Sequence, residues 1–222
     1  MKKLQTISLL LSIIFFISCK KEITEKKTTV KKSEIVENNK RIFDDYIKSI
    51  KPERVNLNTD SIPEYIFCEM GNYTFFDGKT KNEIDYIANV SKYGGSEDLK
   101  IIDVNCNDNQ KEFIVESTGG GTLGNYHYMD IMKYNSETQK INSIFNYEIS
   151  SFHWNEDKEV LDYVHYIDVL YKKNDNCIDK IKVFQGEFID KPKSYSLNIK
   201  PKKLIEIYYF NKKTGSFDKK VE

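Results

Sequence analysis

Two segments of this chain follow one pattern: NLNTDSIPEYIFCEMGNYTF at residues 56–75 and NCNDNQKEFIVESTGGGTLGNYHY at residues 105–128. Each begins with Asn-x-Asn, passes through a polar turn, and reaches a Glu, an aromatic residue and an Ile. Each then continues to Gly-Asn-Tyr and a second aromatic stretch. Two matches in the same order indicate a repeated supersecondary unit. The pattern therefore predicts equivalent strands that begin at Glu64 and Glu112.

The strands that follow are predicted to begin at Tyr73 and Tyr126, and a weaker third copy starts at Asn174, with Asp179 in the place of the Glu. Segments rich in β-branched and aromatic residues predict further strands; they are YIFC, EFIV, YHYMDIMKY, INSIFNYEI, YVHYIDVLY, KIKVF and LIEIYYF. NSETQ and NKKTG read as hairpin turns, the second with Gly215 at positive φ. We expect a mainly β fold, with antiparallel sheets from two or three loop–strand–turn–strand units in a small propeller-like or sandwich arrangement.

A short N-terminal helix is predicted, because apolar residues spaced along one helical face precede a proline. These residues are Ile42, Phe43, Tyr46, Ile47 and Ile50, and the proline is Pro52. The spacing of Ile84, Ile87 and Val90 predicts a second short helix.

The first residues have the features of a targeting signal and not of a folded domain. Lys2 and Lys3 precede an apolar run that ends at Ser18 and Cys19. The run is shorter than the about 20 residues that span a bilayer and has the length of a signal-peptide core. These features resemble a bacterial lipoprotein signal, which implies cleavage before Cys19 and its modification by lipid, including palmitate. An uncleaved anchor with an incidental Cys is the alternative.

Residues 20–41 carry eight basic and four acidic side chains, no aromatic residue and little apolar content. Such a segment cannot offset its ordering entropy by burial. We expect a signal peptide at 1–18, a lipidated Cys and charged flexible tether at 19–41, and a single β-rich domain at 42–222. Lys20 after the Cys resembles an outer-membrane sorting signal, so the expected location is the cell envelope, lipid-anchored in the outer membrane and facing the periplasm or the surface.

The net charge of the folded part is negative. Of 34 basic and 34 acidic side chains, residues 1–41 hold ten and four, which leaves 24 and 30 in residues 42–222. An acidic domain argues against nucleic acid, which needs a basic face. It permits a basic protein partner or a metal ion.

Three cysteines remain after Cys19. Cys68 lies in an apolar strand and reads as a small core residue. Cys106 and Cys177 lie in Asn/Asp-rich loops. The sequence is compatible with a disulfide bond between them and with two free thiols. Their spacing does not indicate zinc.

Asn56, Asn58, Asp60 and Glu64 stand at positions 1, 3, 5 and 9 of the first loop. This spacing resembles the calcium loops of FG-GAP and VCBS-type repeats and implies oxygen ligands for Ca²⁺. Asn replaces the first acid and Ser61 replaces the usual Gly, so the binding expected from two formal charges is weak.

The second loop begins like the loops of that family, with Asp103, Asn105 and Asn107 as candidate ligands. Its Glu112 stands at position 10 of the loop, one residue after the position that the Glu occupies in the family. For both loops the alternative is that Asn and Asp side chains close turns without any ion.

A candidate partner-binding cluster is Phe152, His153 and Trp154, interpreted as lying on a loop, with a cap over the core as the alternative. Its Trp is the single Trp of the chain. His127 and His165 lie among aromatic residues and read as structural. The run GGGTLG at 119–124 precedes a strand-like stretch rather than a helix, so it is interpreted as a mobile loop between strands and not as a dinucleotide site.

No catalytic residue set is supported by the sequence. We expect a non-enzymatic envelope lipoprotein that presents a β-rich binding domain. Small lipidated β-rich domains with calcium loops resemble periplasmic immunity proteins that inhibit lysozyme-like enzymes, which implies a basic envelope protein as partner. The alternatives are an envelope hydrolase or carbohydrate-active protein, and a purely structural envelope component.

Overall fold

The computed structural model describes residues 37–86, 96–106, 108–121, 124–156, 158–173, 177–190 and 198–220. Cys19, Asn107 and two residues of the predicted second helix, Ile87 and Val90, lie outside the described residues. Ile84, the first residue of that prediction, is in a strand. Helix α1 covers residues 37–49. It contains most of the predicted apolar face but begins five residues before Ile42, inside the segment 19–41 that was predicted to be a tether. Within the described ranges, no helix combines the length and hydropathy needed to cross a bilayer.

Residues 49–222 form a compact β-rich unit, which confirms the predicted fold class. The described residues contain twelve strands, which group into three antiparallel sets of four. In chain order, the first four strands are called the first unit, the next four the second unit and the last four the third unit. The strands are β1 Glu53–Val55, β2 Glu64–Glu69, β3 Asn72–Phe76, β4 Glu83–Tyr86, β5 Ser96–Ile102, β6 Glu112–Gly121, β7 Gly124–Asn135, β8 Lys140–Asn155, β9 Lys158–Tyr171, β10 Ile178–Phe188, β11 Ile199–Asn211 and β12 Ser216–Lys219.

The repeat seen in the sequence corresponds to equivalent strands. β2 begins at Glu64 and β6 at Glu112, and each is followed by its hairpin partner, β3 or β7. In the third unit Asp179 is the second residue of β10. The two hairpin turns fall at 136–139 and 212–215, and Gly215 has a φ of 70°.

Strand β8 connects the three units by hydrogen bonds. It pairs antiparallel with β7 along its length and with β9 near its end. Its first residues pair in parallel with β4, where Asp85 lies opposite Lys140. Consequently all twelve strands belong to one hydrogen-bonded sheet.

The middle of the second unit is buried on both faces. Successive side chains of a strand point to opposite faces, and along β6 Phe113 and Val115 join one apolar cluster while Ile114 joins another. The first cluster lies between the first and second units and contains Leu57, Ile66, Phe75, Ile84, Phe113, Val115, Met132, Tyr134 and Ile141. The other lies between the second and third units and contains Ile102, Val104, Ile114, Met129, Ile131, Phe145, Ile149, Ile178, Ile181 and Phe217. The units therefore stack as layers of a sandwich, and a propeller-like ring is not confirmed.

Two interpretations of local sequence were wrong. Cys68 is exposed rather than part of the core, because it lies near the end of β2, where Glu69 and Met70 are exposed as well. The glycines at 119–121 belong to β6 rather than to a loop. A Cβ at Gly120 would collide with the side-chain amide of Asn125, which explains the need for Gly there.

Candidate functional site

The two matched loops are each closed by a buried carboxylate. Glu64 Oε2 accepts a hydrogen bond from the backbone N–H of Leu57 at 2.7 Å, and Glu112 Oε2 accepts one from Val104 at 2.8 Å. Burial raises the pKa of both glutamates, and the backbone hydrogen bonds oppose that rise. The Glu of the repeat thus holds its own loop together.

In the first loop the polar side chains bond to one another and to the backbone. Asn58 Nδ2 donates to Glu64 Oε1 at 2.6 Å, and Asn58 Oδ1 accepts from the N–H of Asp60 at 2.7 Å. Asp60 Oδ1 accepts from the N–H of Ile62 at 2.7 Å. Asn56 Nδ2 donates to the carbonyl of Asn109 at 3.2 Å. These are the turn-closing contacts expected without an ion, and Ca²⁺ binding at this loop stays a prediction.

In the second loop the positive charge comes from the protein itself. Lys133 Nζ lies 2.8 Å from Glu112 Oε1 and 3.5 Å from Asp108 Oδ2. Asp103 forms an ion pair with Lys111, and Asn105 Nδ2 donates to Asp108 Oδ2 at 3.0 Å.

Lys133 follows Met132, the cross-strand partner of Phe113. In the first unit the matching pair is Phe76 with Tyr65, so the residue in the place of Lys133 is Asp77. The charge of the second loop is therefore partly balanced by an ammonium group, whereas the matching position of the first loop holds a carboxylate. No sequence motif indicated this contact, because the lysine lies 21 positions after Glu112 on another strand.

Cys106 and Cys177 form a disulfide bond, with Cα atoms 5.7 Å apart, inside the range that a disulfide requires. Among the residues that the structure describes, the one group of three possible His, Cys, Asp or Glu metal ligands is Asp103 with these two cysteines. Since both sulfurs are bonded to each other, this group offers a single carboxylate to an ion. The bond joins the second loop to the start of β10.

We expect millimolar Ca²⁺ to raise the melting temperature modestly if the first loop binds it, because a ligand at a hundredfold its dissociation constant adds about 2.7 kcal/mol. Asp60→Ala should abolish the rise, since it removes one of two formal charges, whereas Asp108→Ala in the second loop, whose charge Lys133 partly balances, should leave it intact. Differential scanning calorimetry with and without Ca²⁺ measures this. If Ca²⁺ does not change the melting temperature of the wild type, both loops are turns that bind no Ca²⁺.

The predicted partner-binding cluster lies in β8, not on a loop. Phe152 is 2% exposed and its ring packs 6.1 Å from that of Phe188. His153 faces solvent, and Trp154, at the end of the strand, is 45% exposed. The strand alternation thus separates buried Phe152 from exposed His153, whereas Trp154 is exposed because it lies next to the end of the strand.

His153 belongs to a polar group on β8 and β9. Its Nδ1 lies 2.6 Å from Asp162 Oδ1, and Ser151 Oγ donates to Asp162 Oδ2 at 3.1 Å. Asp162 is the extra residue of a β-bulge, because the pairing passes from Tyr163 opposite Ser151 to Leu161 opposite Phe152. The two oxygens of Asp162 therefore contact His153 and Ser151 at the same time. Ser151 bonds to the acid rather than to the histidine, so it is not an activated nucleophile.

Aromatic rings border this group. Tyr126 and Tyr163 both lie opposite Ser151, one on each neighbouring strand, and each is 39% exposed. Burial, and then a hydrogen bond to Glu148 and its charge, raise the pKa of Tyr163 far above its usual value. We call this surface the acidic aromatic face; it comprises Tyr126, Glu148, Ser151, His153, Val160, Asp162 and Tyr163.

The strands that carry the acidic aromatic face are poor in basic residues. Between Lys140 and Lys172 the sequence holds one basic residue, Lys158. The same stretch holds six acidic residues, Glu148, Glu156, Asp157, Glu159, Asp162 and Asp168. Of these, Glu148 and Asp162 belong to the acidic aromatic face. The face therefore combines half-exposed rings with two carboxylates and has no lysine or arginine among its residues.

No protein-family model, curated protein or solved structure matches this chain.

Proposed function

We propose that this chain is a non-enzymatic, lipid-anchored protein of the bacterial cell envelope that binds a basic protein through the acidic aromatic face. The observation that carries the proposal is the pairing of exposed Tyr126 and Tyr163 with carboxylates on strands nearly free of basic residues. The anchor rests on the signal-like sequence that ends at Cys19.

The chemistry of the face suits a protein partner. Half-exposed tyrosines bring large contact area at a small cost in side-chain entropy, and aromatic residues dominate binding hot spots. Carboxylates around them steer a basic partner toward the face and select against acidic ones. Since the side chains stand on paired strands, and Asp162 is held by two hydrogen bonds, little ordering is needed on binding.

The particular partner that we favour is a lysozyme-like muramidase. Its basic surface complements a folded part with 24 basic and 30 acidic side chains, and the sequence resembles immunity proteins directed at such enzymes. The second candidate function is an envelope hydrolase, which the His153–Asp162 pair favours, because an imidazole oriented by a carboxylate is a common general base.

We expect Tyr163→Ala to weaken binding of a basic lysozyme-type muramidase about tenfold or more, the loss typical of a central aromatic contact. Tyr163→Phe keeps the ring and should lose much less. Tyr209→Ala is the matched control, because Tyr209 has the same 39% exposure on another surface. Isothermal titration calorimetry at physiological salt gives the affinities, and a cell-wall lysis assay reports inhibition of the muramidase.

Equal losses for Tyr163→Ala and Tyr209→Ala would assign the binding to general charge attraction and not to this face. Hydrolysis of peptidoglycan fragments by the protein alone, lost in His153→Ala, would support the hydrolase instead.

A further inference from the structure

Charge is divided unevenly among the layers. Residues 172–222 hold 13 basic and 7 acidic side chains, all the basic ones lysine. Subtracting these from the 24 and 30 of the folded part leaves 11 basic and 23 acidic in residues 42–171. The part of the third unit from β10 onward is therefore basic, whereas residues 42–171, which contain the first two units and β9, are strongly acidic.

The third unit has an outer face that points away from the second unit. Tyr166, Phe184 and Leu204 lie side by side across β9, β10 and β11. The rings of Tyr166 and Phe184 are 6.1 Å apart, and Leu204 is 40% exposed. Tyr209 lies on the same side, because its neighbour Tyr208 packs against the core.

Lysines stand among these apolar groups. Lys180 and Lys182 flank the buried Ile181 and so point outward. At the rim, Lys200 and Lys202 are both 55% exposed and share one carboxylate, Glu187. Acids lie among these lysines as well: Asp179 Oδ2 is 3.3 Å from Lys180 Nζ, Asp168 is opposite Lys182, and Asp218 is opposite Tyr209. We call this surface the lysine-aromatic face; its residues are Tyr166, Lys180, Lys182, Phe184, Leu204 and Tyr209, with Lys200 and Lys202 at the rim.

We infer that the lysine-aromatic face rests on an anionic lipid surface. Tyrosine, phenylalanine and leucine side chains that are half exposed enter the headgroup region, where one end of the ring is apolar and the other wet. Lysine stems lie along such apolar surface while their ammonium groups pair with lipid phosphates. The negative charge of the lipid repels the acidic first and second units. The domain therefore turns the lysine-aromatic face of the third unit toward the membrane. This inference extends the proposed envelope attachment and does not depend on the protein partner.

The test compares lysine reactivity on two kinds of vesicle. The protein, purified from membranes with its N-terminal anchor, is reconstituted into vesicles of phosphatidylcholine alone or with added phosphatidylglycerol, and an impermeant acetylating reagent labels the accessible lysines. Mass spectrometry gives the labelling rate of each. We expect the rates of Lys182 and Lys202 to fall about threefold or more on the anionic vesicles. Lys140, whose 53% exposure matches the 55% of Lys202, should keep its rate.

A variant separates lipid contact from simple charge attraction. Leu204→Ser combined with Tyr209→Ser changes exposed side chains, leaves every lysine in place, and should remove most of the protection. Equal labelling of Lys182 and Lys202 on both vesicles would overturn the inference, as would equal protection by a soluble polyanion on neutral vesicles. Failure of the chain to float with neutral vesicles would instead count against the anchor, and loss of muramidase binding against the partner.

Discussion

Lys133→Met is expected to lower the free energy of unfolding by about 3–5 kcal/mol near neutral pH, the usual cost of removing one member of a buried ion pair. Glu112 is fully buried, and Lys133 Nζ lies 2.8 Å from its Oε1. Without the ammonium group, the carboxylate keeps one hydrogen bond, from Val104, and no charge partner at hydrogen-bond distance. Urea denaturation followed by circular dichroism measures the loss.

The loss should shrink as the pH falls. Burial already raises the pKa of Glu112 above its unfolded value, and Lys133 opposes that rise. Removing Lys133 raises the folded-state pKa further. A carboxyl group with a raised pKa destabilises the fold fully above that pKa, and the destabilisation disappears as the pH falls below the unfolded value. The variant should therefore approach the wild type in acid.

Two further variants serve as controls. Lys133→Arg keeps the charge and should lose little stability. Adding Glu112→Gln to Lys133→Met removes the unpaired charge and should restore part of the stability. A Lys133→Met protein as stable as the wild type at neutral pH would show that Glu112 does not depend on this lysine.

Removing the disulfide bond is expected to cost about 4 kcal/mol by the chain-entropy model. Cys106 and Cys177 are 71 residues apart, so the bond closes a long loop of the unfolded chain. Cys106→Ser combined with Cys177→Ser gives the cost in denaturant titrations, and a reducing agent should have the same effect on the wild type. Cys68→Ser is the control, because that thiol is exposed and free. Unchanged stability of the wild type under reducing conditions would contradict the prediction.

The sequence was sufficient to predict those features of the fold that depend on neighbouring residues in the chain. Alternating aromatic and β-branched residues predicted the strands, and the Glu of each repeat marked the start of β2 and β6. The stacking of the three units could not be predicted from such local patterns. It depends on the pairing of Asp85 with Lys140 and on side chains of β6 that face two different clusters.

The candidate site shows the same division. The sequence drew attention to Phe152, His153 and Trp154 but could not tell which of them face the core, because that depends on the strand phase. It missed Asp162, which reaches His153 only through a bulge nine residues later. It also missed Lys133, whose partner lies on the opposite strand of a hairpin. Each of these contacts is fixed by register, which local composition does not encode.

The pairing of β4 with β8 has a consequence for how the domain is assembled. In an array of self-contained repeats, each repeat contacts its neighbours alone, and repeats can be gained or lost one at a time. Here the last strand of the first unit pairs with the last strand of the second, 55 residues further along the chain. During synthesis or export, β4 therefore lacks this partner until nearly the whole second unit has emerged. Although the sequence is repetitive, its repeats are not interchangeable modules, and evolution cannot shorten or lengthen this protein by one unit without rebuilding that junction.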